Sequence, residues 1–288
     1  MMDDWCEVKS PEALIVLNKH AQFSHKFVIN TIIAYNLTIM MFLAAALRTY
    51  FSESVENRLL PLLAKFPFSN KNSPIYEILY IIQSFLLLLD GNMYCLTDSS
   101  YVSMVLHAST KAEILRLELD RFLNNDILRS EKKFTIKILI KKHRQTIQFS
   151  KKVEKIYSGQ LFLHFALATL QLCFQGFIYL MTLSDNNGIS SLLKDTFLSM
   201  VLIFELGIYC GLGEYLRSKS CLIAESAYLI PWYELKSTEA KMIMIFIQRA
   251  QIPLTITAGK LAVASHRTFT NIIKTSFSYL SVLRASRV

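Results

Sequence analysis

The sequence predicts an all-α, polytopic transmembrane helix bundle with cytoplasmic helical extensions. The chain has 288 residues, of which 52% are hydrophobic and only 18% are charged, whereas about 25% of the residues in an average soluble domain are charged. Its mean hydropathy is +0.34. Several apolar stretches approach or exceed the length of about 20 residues that a helix needs to cross a hydrocarbon core about 30 Å thick. We therefore expect five spanning helices.

The five candidate spans differ in how many charged side chains they contain. They are residues 27–47, 75–107, 156–184, 196–213 and 268–283. The first and third contain no Asp, Glu, Lys or Arg, whereas the others are interrupted by Asp90, Asp98, Glu205 and Lys274. An Asp or Lys at the centre of a spanning helix costs about 2.5–3.5 kcal/mol. Such residues are therefore expected to face the bundle interior or a water-filled cavity.

The last candidate span is polar on one side and apolar on the other. The polar residues recur at steps of three or four and are Thr268, Asn271, Thr275, Ser278 and Ser281. This spacing places them on one face of a helix. Two hypotheses follow: the helix lines a pore, or it lies in the plane of the membrane surface.

The distribution of basic residues predicts the topology. Residues 111–155 contain thirteen Lys and Arg residues, whereas residues 184–193 contain none. Because Lys and Arg accumulate in cytoplasmic segments, we expect 111–155 inside the cell, the N-terminus also inside and the C-terminus outside. The resulting parts are 1–110 (two spans with the outer loop 49–74), the basic helical loop 111–155, the next two spans at 156–216, and 217–288 with the last helix.

Two segments outside the spans also show helical patterns. Residues 110–126 are predicted to continue the second span into the cytosol, with surface ion pairs Glu113–Arg116 and Glu118–Arg121 at helical spacing. Residues 238–251 form a second helix, which is too short to span a membrane and too apolar to be solvated. We expect this helix to pack against another chain or against another cytoplasmic helix.

No motif for catalysis or for metal binding is found. The sequence has no GxGxxG, no P-loop, no GxSxG and no HExxH. Its five cysteines include no CxxC pair, which argues against a zinc site or a disulfide framework. Glu205 is interpreted either as a proton-relay group or as an interior acid paired with a neighbouring helix. We expect no enzyme, no cofactor, no metal and no nucleic-acid partner.

Three motifs occur in order along the chain. Residues 60–83 contain LPLLAKFPF and then SPIYEILYIIQ, residues 209–233 contain YCGLGEYL, SAY and WY, and residues 251–280 contain QIPLTITAGK, TF and KTSFSYL. In this order and spacing they resemble the insect odorant receptor family. A taste-receptor relative of the same superfamily is the alternative, but residues 278–283 lack the Gln-Phe ending of its last helix.

The resemblance implies a function and a missing part. Members of the family are seven-helix, odorant-gated cation channels of olfactory neurons, which assemble as tetramers with a shared co-receptor subunit. The five spans correspond to the third to seventh helices of the family, so the resemblance implies an N-terminally truncated receptor, with residues up to Phe27 as the loop before the third helix. The expected partners are the co-receptor in a hetero-tetramer, a small volatile ligand and membrane lipid. A nonfunctional or regulatory fragment is the other interpretation.

The resemblance also implies roles for individual residues. Ligand contacts are expected at Tyr35, Asn36, Met40, Tyr94, Cys95 and Phe162. Pore and gate positions are expected at Lys274, Ser278, Tyr279 and Val282. The anchor between subunits is expected at Tyr228, Trp232, Met242, Ile245 and Phe246.

Overall fold

The protein is built almost entirely from α-helices. The computed structural model describes residues 11–52, 60–62, 64, 66–67, 72–124, 129–184 and 189–285. The helices are α1 (Pro11–Ser52), α2 (Ile75–Asn124), α3 (Arg129–Ser184), α4 (Ile189–Tyr228), α5 (Ser237–Ala250) and α6 (His266–Ala285). A short 3-10 helix, Trp232–Glu234, precedes α5, and two strands, β1 (Thr257–Ala258) and β2 (Ala262–Val263), precede α6. The prediction of an all-α fold is confirmed.

The first four helices are much longer than a bilayer is thick. The longest, α3, has 56 residues, which corresponds to about 84 Å at a rise of about 1.5 Å per residue. Helices α1 to α4 each contain a window long and apolar enough to cross a membrane. The fifth predicted span is α6, whose 20 residues suffice for a crossing but carry polar side chains along one face.

The helix boundaries confirm one prediction and correct another. Residues 110–124 continue the second span without a break, since α2 runs from Ile75 to Asn124, as predicted. The loop expected up to Phe27 is wrong for residues 11–26, because α1 already begins at Pro11. Proline suits the first turn of a helix, where its missing N–H group would have no partner.

Two compact units divide the chain. The small unit comprises Ala21–Ser103, and the large unit comprises Met1–His20 and Met104–Val288. In the small unit the ring of Tyr50 stacks on Tyr76 with centroids 5.3 Å apart, and the Tyr80 hydroxyl donates to the Leu43 carbonyl at 3.2 Å. These aromatic residues hold its two helices together.

The large unit contains a buried apolar core where four helices meet. We call this core the four-helix cluster; its buried members are Ala112, Leu115, Leu119, Phe122, Ile136, Leu139, Ile223, Ala227, Ile230, Ile243, Phe246 and Ala250. They come from α2, α3, α4 and α5, apart from Ile230 just after α4. Helix α5 therefore packs against other helices of its own chain, which was one of the two expectations for this segment.

The two-stranded ribbon attaches the start of α6 to two long helices. Its turn holds Gly259 at φ 59° and Lys260 at φ 61°, the left-handed pair of a tight hairpin turn. The Gly259 N–H donates to the Ser158 carbonyl of α3 at 2.8 Å. On the α4 side, a Cβ at Gly213 would lie 2.3 Å from the Ala264 carbonyl oxygen. Only glycine allows this approach.

Candidate functional site

One face of α6 packs closely against α3 and α4. Ile272 is buried, and the Ser276 hydroxyl donates to the Thr169 carbonyl of α3 at 3.2 Å. Leu280 lies over Gly176, where a Cβ would come within 2.9 Å of the Leu280 side chain. This side of α6 is therefore fixed by steric contact with α3 as well as by a hydrogen bond.

The opposite face of α6 is accessible. Lys274 and Ser278 are exposed, and Val282 is 64% exposed. Because these three residues are four apart, they form one line along the helix. Tyr279, which is 51% exposed, lies about 100° around the helix from Ser278. The structure thus brings three of the four predicted pore residues onto one accessible line and places Tyr279 beside it.

Five of the six predicted ligand contacts belong to the small unit, and their side chains differ in burial. The Tyr35 hydroxyl donates to Asp98 Oδ2 at 2.9 Å, and Cys95 is buried. Asn36 donates to the Ile32 carbonyl of its own helix. The remaining two, Met40 and Tyr94, have exposed side chains.

Asp98 was not among the predicted ligand contacts, although it is buried and bonded to Tyr35. The available signal was an acid within an apolar stretch, since such residues in spans usually face protein or water. The hydrogen bond from the Tyr35 hydroxyl pairs one carboxylate oxygen of Asp98 within the apolar span.

Phe162 belongs to the large unit, whereas the other five predicted ligand contacts belong to the small unit. Its ring lies so close to the ribbon turn that a Cβ at Gly259 would be 3.0 Å from it. Phe162 therefore supports the turn that precedes α6.

The predicted anchor residues divide into buried and exposed groups. Phe246 is buried in the four-helix cluster, with its ring centroid 4.5 Å from that of His143. Trp232 and Met242 pack partly against the same cluster. Only Tyr228 and Ile245 have largely exposed side chains. Three further exposed apolar residues nearby in the sequence were missed: Leu229, Tyr233 and Met244.

A polar network joins α1, α2 and α4 in the large unit. Lys219 Nζ donates to Glu113 Oε1 at 2.8 Å, and His20 Nε2 lies 3.5 Å from Glu113 Oε2. The His20 ring also hydrogen-bonds Thr110 at 2.8 Å and Tyr215 at 3.2 Å. Three helices are therefore linked through one carboxylate and one imidazole.

The ion pairs predicted on α2 are wrong. Glu113 binds Lys219 of α4 instead of Arg116, and Glu118 binds Lys142 of α3 instead of Arg121. Helix packing brings Lys219 and Lys142 within bonding distance of these carboxylates, which spacing along a single helix cannot reveal.

Glu205 has a partner on a neighbouring helix. Its Oε1 atom lies 3.8 Å from His164 Nε2 of α3, and the His164 ring lies 4.7 Å from that of Tyr209. This arrangement favours the interpretation of Glu205 as a paired interior acid.

The part of the chain that the structure describes holds no group of three or more His, Cys, Asp or Glu residues arranged for a metal ion. The four described cysteines, Cys95, Cys173, Cys210 and Cys221, are free thiols.

Four long, apolar helices and an amphipathic last helix agree with what the resemblance of the sequence motifs implied. The family model described as "7tm Odorant receptor" matches residues 4–277. The chain belongs to the insect odorant receptor family. It is thus an odorant receptor homologue with membrane-spanning helices, and the match favours this family over the taste-receptor alternative.

Individual odorant receptors show moderate similarity to the chain. Odorant receptor 10 of Aedes albopictus is 27% identical over 214 residues, which cover 74% of this chain and 56% of that protein. Odorant receptor 82a of Drosophila melanogaster is 22% identical over 228 residues, which cover 78% of this chain and 57% of that protein. The chain therefore spans somewhat more than half the length of these relatives, which are receptors rather than enzymes.

Solved structures of the same fold agree with the helical arrangement. The olfactory receptor OR5 of Machilis hrabei in complex with eugenol superposes with a TM-score of 0.77 at 14% identity, covering 95% of this chain and 69% of that one. A second structure of OR5 gives a TM-score of 0.75 at 16% identity, covering 94% and 68%. At this identity the likeness establishes the fold.

Proposed function

We propose that the chain is a subunit of an odorant-gated cation channel that a small, volatile, apolar ligand opens. It works in a hetero-tetramer with a co-receptor subunit in the plasma membrane of olfactory sensory neurons, with its N-terminus in the cytoplasm and its C-terminus outside. The observation that carries this proposal is α6, which packs on one face and leaves Lys274, Ser278 and Val282 accessible on the other.

A pore-lining helix needs one water-accessible face and an apolar side chain at the constriction of the pore. Ser278 supplies a hydroxyl on the accessible line, and Val282 supplies an apolar side chain one turn later. A ring of such side chains from several subunits blocks ions by excluding water. Lys274 lies two turns before Val282, and its long side chain can place the ammonium group away from the constriction.

Ligand binding opens the channel only if the open state binds the ligand more tightly than the closed state does. In this chain α6 is attached to α3 through Ser276 and through the ribbon at Gly259. A rearrangement of α3 or α4 is therefore transmitted to the predicted pore face by direct contact.

A second candidate function is a nonconducting subunit that binds the co-receptor and reduces its current. One observation favours it: Tyr228 and Ile245 of the large unit have largely exposed apolar side chains. Exposed apolar patches often mark protein interfaces.

Both proposals are tested in cells that express the 288-residue chain with a co-receptor, under voltage clamp and a broad volatile panel. Odorant-evoked cation current that the co-receptor alone does not give supports the channel subunit. Absence of such current, together with suppression of the current of another receptor and co-receptor, supports the second candidate. Surface labelling in each cell line controls for expression. If the chain reaches normal surface levels and neither the evoked current nor the suppression is seen, both proposals are contradicted.

A further inference from the structure

A half-open cavity of about 250 Å³ lies in the large unit between α3, α4 and α6. All three helices contribute to its lining, which includes Leu172 and Tyr179 of α3, Ser199 and Ile203 of α4, and Ile273 and Phe277 of α6. The cavity thus lies directly against the helix to which we assign the pore.

The cavity lining is uncharged, and several of its polar groups already have partners. None of the residues that line it is Asp, Glu, Lys or Arg. The Ser199 hydroxyl donates to Gln175 Oε1 at 3.0 Å, and the Ser276 hydroxyl donates to the Thr169 carbonyl. An apolar ligand therefore leaves these groups satisfied, whereas a charged ligand would lose its hydration without gaining a counter-charge.

The size of the cavity limits what it holds. A dry apolar cavity of about 150 Å³ is enough to bind benzene, so this one accommodates a molecule of roughly ten non-hydrogen atoms. A packed helix is about 10–12 Å wide and does not fit. The cavity is also smaller than the roughly 300–1,000 Å³ of sites for drug-sized ligands.

We propose that this cavity binds one small, neutral, apolar molecule, such as a medium-chain alcohol or ketone. The hydrocarbon part contacts Leu172, Ile203 and Ile273, and Tyr179 offers a hydroxyl to the single ligand oxygen. All the residues that line this site belong to the large unit, so the site is distinct from the ligand contacts expected in the small unit, which are Tyr35, Asn36, Met40, Tyr94 and Cys95.

The position of the cavity gives it a role in gating, which rests on the proposed function. Residues 273, 276, 277 and 280 line the cavity, whereas residues 274, 278 and 282 form the accessible line. At about 100° per residue, the centres of the two sets lie about 150° apart around α6. Because Leu280 already touches Gly176, α6 cannot approach α3 further there. A bound molecule contacts α6 on the side turned away from the accessible line, and by this contact it modulates the channel.

The binding is tested by photolabelling the purified 288-residue chain in lipid nanodiscs with a diazirine analogue of 1-octanol. Peptide mapping is expected to find adducts on the α3 and α6 segments that line the cavity, with protection by unlabelled 1-octanol. Ile203→Trp fills the cavity and is expected to lower these adducts about tenfold, as overpacking excludes a ligand. The matched control, Phe204→Trp, changes a neighbouring residue that is 70% exposed and leaves labelling unchanged.

Adducts spread over lipid-exposed residues such as Phe174 without protection by 1-octanol would overturn the proposal, since they would show only partitioning into lipid. Equal labelling of wild type and the monodisperse Ile203→Trp variant would also overturn it. The protection experiment on the wild-type chain needs no variant to fold. Because labelling is read without current, a labelled but nonconducting chain rejects the proposed function and leaves the site standing.

Discussion

The four-helix cluster and the spanning segments bury their apolar residues to very different degrees. Members of the cluster are at most 7% exposed, whereas only 6% of the apolar window of α1 and 11% of that of α2 are buried. In water, exposed apolar area costs about 25 cal/mol per Å², so the exposed windows need lipid or protein around them. The cluster is stabilised by exclusion of water, and the spans by their surroundings.

The largest expected effect is loss of packing in the four-helix cluster. Ile243→Ala removes a side chain that is 1% exposed, and such truncations cost about 2–5 kcal/mol. We expect a clearly lower thermal unfolding temperature, measured by circular dichroism in detergent micelles. Ile245→Ala on the same helix is the control, because Ile245 is 66% exposed. Equal destabilisation by both would contradict the comparison.

The next effect concerns the close approach of α4 to the ribbon. Gly213→Ala places a Cβ 2.3 Å from the Ala264 carbonyl oxygen, and overpacking of this kind costs about 1–3 kcal/mol. Gly211→Ala, two residues earlier, meets no atom within 4 Å and should be neutral or stabilising. An equal fall in the melting temperatures of both variants would contradict the close approach of α4 to Ala264.

The polar network should respond to the loss of its lysine. Lys219→Met leaves the largely buried Glu113 carboxylate without its ammonium partner, and such an unpaired group costs about 1–3 kcal/mol. Glu113→Gln in the same chain should recover part of that loss. Lys152→Met, at an exposed position of α3, is the control; a double variant no more stable than Lys219→Met would show that the pair is not coupled.

The smallest effect is expected in the lipid-facing part of the small unit. Ile33→Ala shortens a side chain that is 59% exposed and should change stability by about 0.5 kcal/mol or less. Ile39→Ala on the same helix removes a side chain that packs against Gly91 and should cost more. Thermal unfolding of both variants in micelles measures the difference, and a larger loss from Ile33→Ala would reverse the assignment of lipid-facing residues.

Helical periodicity and apolar run length predicted the spanning segments and the short helix α5, but not that α1 begins at Pro11. The continuation of the second span to Asn124 followed from apolar residues at helical spacing between charged ones and from the absence of Pro. The ribbon was missed, because its turn residues Gly259 and Lys260 are not the usual Asn-Gly or Asp-Gly pair. No local pattern signals a two-stranded element of this length.

Side-chain partners were harder to predict than helices. Local spacing pairs Glu113 with Arg116, but its partner Lys219 is 106 residues away and is known only once α2 and α4 are packed. Likewise, Ile245 and Phe246 are adjacent in the sequence and both apolar, so the sequence alone does not show that Phe246 is the one buried in the core. The site therefore depends on tertiary contacts that composition and periodicity leave open.

The central claim is that the accessible face of α6 lines a cation pore. Its most direct test is cysteine accessibility during odorant-evoked current, in cells that express the chain with a co-receptor. Ser278→Cys and Val282→Cys should make the current sensitive to a cationic thiol reagent, whereas Ser276→Cys on the packed face should not. Block through residue 276, or insensitivity of both residues 278 and 282 in conducting channels, would contradict the account.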